Sequence, residues 1–218
     1  MKNESTWETI YAKGSQLNRY PYSDCISFFK RRWPSGVATD FHTLDVGCGS
    51  GVHADFFASQ GAQVTAFDFS PSAIQAASEL FPNPAVNYLV ASFDEFDPRY
   101  NKFDLVFDRL ATTCSSMDQV ERFYQKLLPA MSPGGKVFWQ GFDWGNSGRS
   151  FGTYEPDLQR WNGFTSGVFE HLGPTVFFKE EDLDRIFAGY GFESKRVISD
   201  RDTETGYTHS YWMLELSV

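Results

Sequence analysis

The stretch Leu44-Asp45-Val46-Gly47-Cys48-Gly49-Ser50-Gly51 decides the fold. An apolar strand beginning at Thr43 runs into a turn with glycine at alternate positions, and His53 to Ser59 reads as the helix that follows. Glycine lacks a Cβ, so it permits left-handed backbone and close approach of a ligand. A helix start placed directly after such a turn offers free N–H groups. Strand, glycine turn and helix in that order open an α/β sheet whose ligand lies outside the carboxyl ends of the strands.

Downstream, Gln63 to Phe69 reads as a strand that ends in an acid, Asp68. Its carboxylate falls beside the glycine turn, where it can accept the hydroxyls of a ribose. Ser70 is placed to cap the next helix, and Pro71 to occupy its first position. Further strands are expected at Val86–Ala91, Phe103–Phe107 and Lys136–Gln140, with a long helix from Asp118 to Met131 before Ser132-Pro133-Gly134-Gly135. This alternation predicts a doubly wound, mostly parallel sheet with helices on both faces. Lys179–Ala188 reads as a helix, and Phe192–Ile198 with Ser210–Leu216 as a closing antiparallel pair. A seven-stranded sheet with its last strand reversed is the expected architecture.

Two segments fall outside that rhythm. At the N-terminal end, Trp7, Ile10 and Tyr11 share one helical face, and a second helix from Tyr22 to Trp33 stops before Pro34. Gly141 to Pro174 is rich in glycine and aromatics without a clean period, and a long irregular stretch of that kind is usually functional. The expected organisation is one domain over residues 1–218, with a helical lid at 1–36 and a substrate-side insert at 141–178.

The formal net charge of −9 repels polyanions at long range and disfavours a nucleic-acid partner. The basic run Lys30-Arg31-Arg32 reads as a solvated helix end with favourable dipole contacts. Three widely spaced cysteines, Cys25, Cys48 and Cys114, suit reduced thiols and neither a disulfide framework nor a metal site. No stretch has the apolar length of a membrane span, and the first residues lack a signal-peptide core, so a cytoplasmic protein without membrane contact is expected.

At these residues the chain resembles the class I S-adenosylmethionine-dependent methyltransferases. LDVGCGSG looks like their first motif, VTAFDFS their second, VASFDEF their third and FDLVFDR their fourth, with LLPAMSPGGKVFW similar to the helix and strand that follow. The resemblance implies S-adenosyl-L-methionine as cofactor and S-adenosyl-L-homocysteine as product. Gly47, Gly49 and Gly51 would let the backbone pass the methionine part, with Asp45 supporting its amino group. Asp68 would hold the ribose and Phe69 lie against the adenine, whose edge would meet Ser92 and Phe93. The pattern departs from the family here, because an acid is frequent at the position of Ser92 and Asp94 comes two residues later. Asp108 and Arg109, ending the fourth strand, fall where the family places groups near the sulfonium. The flanks WETIYAKGSQLNRYPYSDCISFF and NGFTSGVFEHLGPTVFFKEEDL resemble small bacterial methyltransferases associated with polysaccharide or small-molecule modification. That likeness implies a lid bearing Trp7 and Tyr11, and Arg19 paired with the cofactor carboxylate.

A sulfonium is already an activated electrophile, so alignment and exclusion of water supply much of the rate. A hydroxyl acceptor would also use a base. His171 and Tyr154 in the insert and Asp108 beside the cofactor are the principal candidates, with Asp143 and Glu155 behind them. The expected acceptor is a small molecule, with a saccharide hydroxyl as the preferred case. A protein or nucleic-acid acceptor, and a non-catalytic protein that binds the cofactor, are the alternatives. Gly49-Ser50-Gly51-Val52-His53-Ala54 also fits a dinucleotide turn, but the register of the first motif and the closing antiparallel pair speak against NAD.

Overall fold

A computed structural model describes residues 2–98 and 102–218. Strand β1 (His42–Val46) is buried along most of its length, and its apolar residues need cover on both faces. The strand lies inside a sheet in the order β3-β2-β1-β4-β5-β9-β8, with β2 at Gln63–Asp68, β3 at Val86–Val90, β4 at Phe103–Arg109, β5 at Met131–Phe142, β8 at Gly191–Arg201 and β9 at Thr208–Ser217, and helices on its two faces supply that cover. Pairings β1·β2, β2·β3, β1·β4 and β4·β5 are parallel, while β9 runs antiparallel to both neighbours, β5 and β8. The seven strands and the reversed last one match the architecture expected from the sequence. The insert adds a separate two-stranded hairpin, β6 (Thr153–Glu155) and β7 (Arg160–Asn162).

Two apolar layers hold the helices on. One face packs Phe28 and Phe29 of α2 (Ser23–Arg32) and Phe57 of α3 (Val52–Ser59) against Phe107 and Phe138. The other buries Val120, Phe123, Tyr124 and Leu127 of α5 (Met117–Leu127) and Leu183 and Ile186 of α6 (Glu180–Ile186) around Trp139. Helix α4 (Pro71–Leu80) begins at Ser70, whose side chain accepts the N–H of Ala73 as expected of a cap. Helix α1 (Lys2–Ala12) lies beside α4.

Three local expectations change. The helix predicted to reach Met131 ends at Leu127, and Leu128–Ala130 form a 3₁₀ turn. Pro129 lacks an N–H and its ring crowds the preceding helical turn, so α5 stops there. Met131 is then free to pair with Phe103, and β5 starts five residues earlier than its apolar run, with a register shift on β4 between Phe103 and Leu105. The basic run at the end of α2 is not a freely solvated face. Glu215 on β9 is buried and takes Arg31 at 2.6 Å, Arg32 at 2.7 Å and Arg196 at 3.2 Å, while Glu193 on β8 takes Arg32 at 2.8 Å and Lys136 at 2.6 Å. The carboxylates across the sheet edge pin α2 to the closing hairpin. Among the described residues, no helix is long and apolar enough to cross a membrane.

Candidate active site

A cavity of about 540 Å³ opens at the carboxyl ends of β1, β2 and β4. The N-terminal segment closes it with Trp7, Tyr11, Asn18 and Tyr22, and the insert contributes Arg160, Leu172 and Thr175.

The floor is the glycine turn. Gly47 and Gly49 have φ of +59° and +52°, where a side chain is strained. A Cβ on Gly47 would stand 2.4 Å from Cβ of Ala111, and one on Gly49 would stand 2.6 Å from the Tyr11 hydroxyl. The turn therefore presents bare backbone to the cavity. Gly51 plays another part: it does not line the cavity, and a Cβ there would meet Tyr88 and Ala77. Its place is in the seating of α3 against β3 and α4.

Two buried carboxylates border that turn. Asp45 accepts the N–H of Ala54, yet its Oδ2 is buried without a hydrogen-bond partner. Burial raises its carboxyl well above the usual range, with the Asp108 and Asp68 charges adding to the shift. Asp68 accepts Gly49 N–H on Oδ2 and Ser70 N–H on Oδ1, both at 3.0 Å. Burial raises it to about 6 despite those donors. An unsatisfied carboxylate oxygen facing a polar cavity is suited to a ligand's ammonium or hydroxyl.

The adjoining wall carries Phe69, Ser92, Phe93, Asp94 and Gln119. Ser92 is held by Glu95, which takes its N–H at 3.0 Å and its hydroxyl at 2.8 Å. Gln119 donates to Asp94 at 2.9 Å. Phe93 packs against Phe123 with ring centroids 5.1 Å apart.

The N-terminal cover is latched. Glu8 accepts the hydroxyls of Ser70 and Ser72 at 2.5 Å each and the N–H of Ser72 at 3.3 Å, bringing its charge to the start of α4. These hydrogen bonds hold its carboxyl below the usual range. Ser50 donates to the Asn18 carbonyl at 2.9 Å, and Tyr22 N–H reaches Nε2 of His53 at 3.4 Å. Tyr11, whose phenol burial pushes up, lies over Gly49. Arg19 is exposed and is not among the cavity residues.

Asp108 and Arg109 point to opposite faces of β4, as successive strand residues must. Asp108 is fully buried and lies outside the cavity lining. It accepts the hydroxyls of Thr112 at 2.5 Å and Tyr124 at 2.8 Å and the N–H of Ala111 at 2.9 Å, and burial raises it to about 6. It braces the turn that carries Arg109 to Ala111. Arg109 itself lines the cavity, with its guanidinium 3.3 Å from the centroid of the Tyr22 ring.

The two insert candidates stand apart from this cluster. His171 is exposed and Tyr154 is 45% exposed, and neither lines the cavity. The insert folds on its own apolar cluster of Phe142, Trp161, Phe164, Phe169 and Phe177. Tyr154 is engaged there, its ring 4.6 Å from that of Trp161. Glu155 is tied to Arg160 at 2.7 Å, and Asp143 accepts the hydroxyl of Ser210 at 2.9 Å.

The cavity also holds residues that the sequence reading leaves unassigned, Tyr22, His53, Asn18 and Gln119 among them. His53 and Gln119 occupy the first turns of α3 and α5, and both helices start at the carboxyl edge, so helix phase carried the signal for these two.

Against known proteins, residues 43–135 match a family model described as a methyltransferase domain. The ubiquinone biosynthesis O-methyltransferase of Coxiella burnetii is 29% identical over 104 residues, covering 45% of this chain and 42% of the relative. The malonyl-[acyl-carrier protein] O-methyltransferase of Pseudescherichia vulneris is 30% identical over 129 residues, 58% of this chain and 47% of the relative. The chain thus spans less than half the length of these curated relatives. Among solved structures, a SAM-dependent methyltransferase from Methanosarcina mazei superposes with a TM-score of 0.66 at 16% identity, over 91% of this chain and 98% of that one. The N-methyltransferase NodS from Bradyrhizobium japonicum WM9, in complex with S-adenosyl-L-homocysteine, gives 0.65 at 12% identity, over 100% and 98%. The fold is the class I methyltransferase fold, and the resemblance read from the motifs stands on the family match and the fold together.

Proposed function

We propose that this chain is an S-adenosylmethionine-dependent methyltransferase acting on an oxygen of a small-molecule acceptor, with residues 1–218 working as one unit. The observation that carries this reading is the convergence of the bare glycine turn, the orphaned Oδ2 of Asp45 and the carboxylate of Asp68 on one cavity. These residues fit the cofactor's parts. Asp45 meets an ammonium, Gly47 and Gly49 leave room for the methionine chain, Asp68 meets the ribose hydroxyls, and Phe69, Ser92 and Phe93 border the adenine. When bound, the cofactor supplies a methyl group on a positively charged sulfur.

The protein's own contribution is orientation and exclusion of water. The latch from Glu8 to Ser70 and Ser72 sets α1 over the cofactor side. The insert, through Arg160, Leu172 and Thr175, borders the acceptor side. A cavity of about 540 Å³ has to take both ligands, which favours a small acceptor over a polymer. The curated relatives are named as O-methyltransferases, which supports oxygen as the acceptor atom, and a saccharide hydroxyl is one acceptor of that class. His171 and Tyr154, as the chain is arranged, reach the acceptor only if the insert moves.

Calorimetric titration tests the reading. S-adenosyl-L-homocysteine binding with one site per chain, and no heat with NAD, is expected. Binding of NAD in place of the homocysteine product would overturn it.

A further inference from the structure

Arg109 lines the cavity, yet among the described residues no carboxylate comes within ion-pair distance of its guanidinium. Its Nε–H is buried without a hydrogen-bond partner. The cavity's other arginine, Arg160, is by contrast satisfied by Glu155 at 2.7 Å. What holds Arg109 in place is the ring of Tyr22 at 3.3 Å, a contact that orients the planar fork without neutralising it. An unpaired guanidinium in a partly buried site is costly unless a ligand completes it.

We propose that Arg109 is the anchor for an anionic group, a carboxylate in chemistry, carried by the methyl acceptor. This deepens the methyltransferase reading and rests on it.

Three observations favour the acceptor over the cofactor as the source of that anion. First, Leu110, the next residue along, packs on the insert's apolar cluster together with Leu172 and Tyr211, and β9, which carries Tyr211, lies on the side of β4 away from β1 and β2. Second, this part of the lining is suited to an acceptor body: the Tyr22 ring lies on the guanidinium, and Leu110, Phe142 and Leu172 pack in one apolar cluster. Third, the carboxylates that line the cavity are committed elsewhere: Asp45 and Asp68 to backbone N–H groups and, in the reading above, to the cofactor's ammonium and ribose, and Asp94 to Gln119. A carboxylate on the acceptor supplies the partner that Arg109 lacks. The bidentate fit of guanidinium to carboxylate fixes the acceptor's direction as well as its charge.

The probes are benzoate and benzamide, isosteric rings that differ in charge, titrated at neutral pH into the full chain saturated with S-adenosyl-L-homocysteine and into the free chain. Benzoate should bind the saturated wild type about tenfold more tightly than benzamide. In R109Q the two should bind alike, while affinity for S-adenosyl-L-homocysteine stays within about threefold of wild type. R109K, which keeps the charge but not the fork, should retain part of the preference. Equal binding of the two probes to wild type overturns the inference and needs no variant. A loss of about tenfold or more in S-adenosyl-L-homocysteine affinity in R109Q also overturns it, by giving Arg109 to the cofactor's own carboxylate. If wild type fails to bind S-adenosyl-L-homocysteine, the methyltransferase reading falls. The free-chain titration then decides the anchor by itself, with benzoate preference supporting it and equal binding overturning it.

Discussion

The backbone N–H of Gly49 donates to Oδ2 of Asp68 at 3.0 Å, so the turn after β1 is tied to the end of β2. The same carboxylate takes Ser70 N–H on its other oxygen. One side chain thus holds the glycine turn, starts α4 and faces the cavity. Each carboxylate oxygen keeps a lone pair for a ligand hydroxyl.

Asp68→Ala removes that acceptor and loosens the turn. Affinity for S-adenosyl-L-homocysteine should fall by roughly 1.5–3 kcal/mol, the scale of hydrogen bonds to a charged group. Calorimetry on a variant shown to be folded by circular dichroism checks this. Unchanged affinity would take the ribose role from Asp68.

Acid should separate binding from stability. Burial raises Asp68 from 3.8 to about 6. A folded-state value above the unfolded one means that this group's contribution to stability is fully present below 3.8 and is lost as pH rises through about 6. Asp108, raised by burial to about 6, acts in the same direction. Ligand hydroxyls need the ionised carboxylate, so S-adenosyl-L-homocysteine affinity should weaken as pH falls through about 6, where these two groups favour the folded state. Asp68→Asn should flatten most of the affinity profile. Asp45, also raised by burial, supplies the remainder. A profile that Asp68→Asn leaves unaltered would refute the assignment.

Glu215 predicts how α2 is held. Its side chain is only 7% exposed, while Arg31 and Arg196 are about half exposed, so water screens part of the attraction. Glu215→Ala would leave three cations facing one another at the edge of the sheet. It should destabilise the fold by about 1–3 kcal/mol, below the cost of breaking a fully buried pair. Urea unfolding at low and high salt measures it, and the loss should shrink at high salt. No change at either salt would reduce the network to surface decoration.

The sequence showed what is local and missed what is assembled from afar. Strand, glycine turn, helix and the acid ending β2 are each set by a few adjacent residues, so Asp45, Gly47, Gly49, Asp68 and Phe69 were legible. Alternation along β4 also separates Asp108 from Arg109, a parity present in FDLVFDR, although the motif resemblance gives both to one site. The Glu8 latch joins residues 62 and 64 apart in sequence, and no period signals it. The insert is legible in its chemistry and not in its packing. His171, Tyr154 and Glu155 have the chemistry of a base, but the aromatics around them form a cluster that Tyr154 packs against, outside the cavity. The lone state of Arg109 is a fact about every other side chain near it, which composition cannot show.

Gly49→Ala tests how the cover and floor fit together. Two costs are expected, and they can be separated. The φ of +52° is left-handed backbone, which costs a residue with a Cβ roughly 1–2 kcal/mol. The new Cβ would also stand 2.6 Å from the Tyr11 hydroxyl, whereas the ring carbon bearing it is 3.5 Å away. Removing the hydroxyl alone should therefore relieve the clash while leaving the backbone strain. Gly49→Ala should lower stability and weaken S-adenosyl-L-homocysteine binding together, because the displaced Tyr11 is part of the cover. Adding Tyr11→Phe should restore much of the binding and none of the strain. A double-mutant cycle, read by urea unfolding and by calorimetry, gives the coupling. Coupling is expected in the binding data and, from the relieved clash, in the stability data, leaving a stability loss of roughly 1–2 kcal/mol that Tyr11→Phe does not restore. If Tyr11→Phe restores no affinity, Tyr11 does not cover the glycine turn in the liganded protein, and α1 must close over the cofactor in another way.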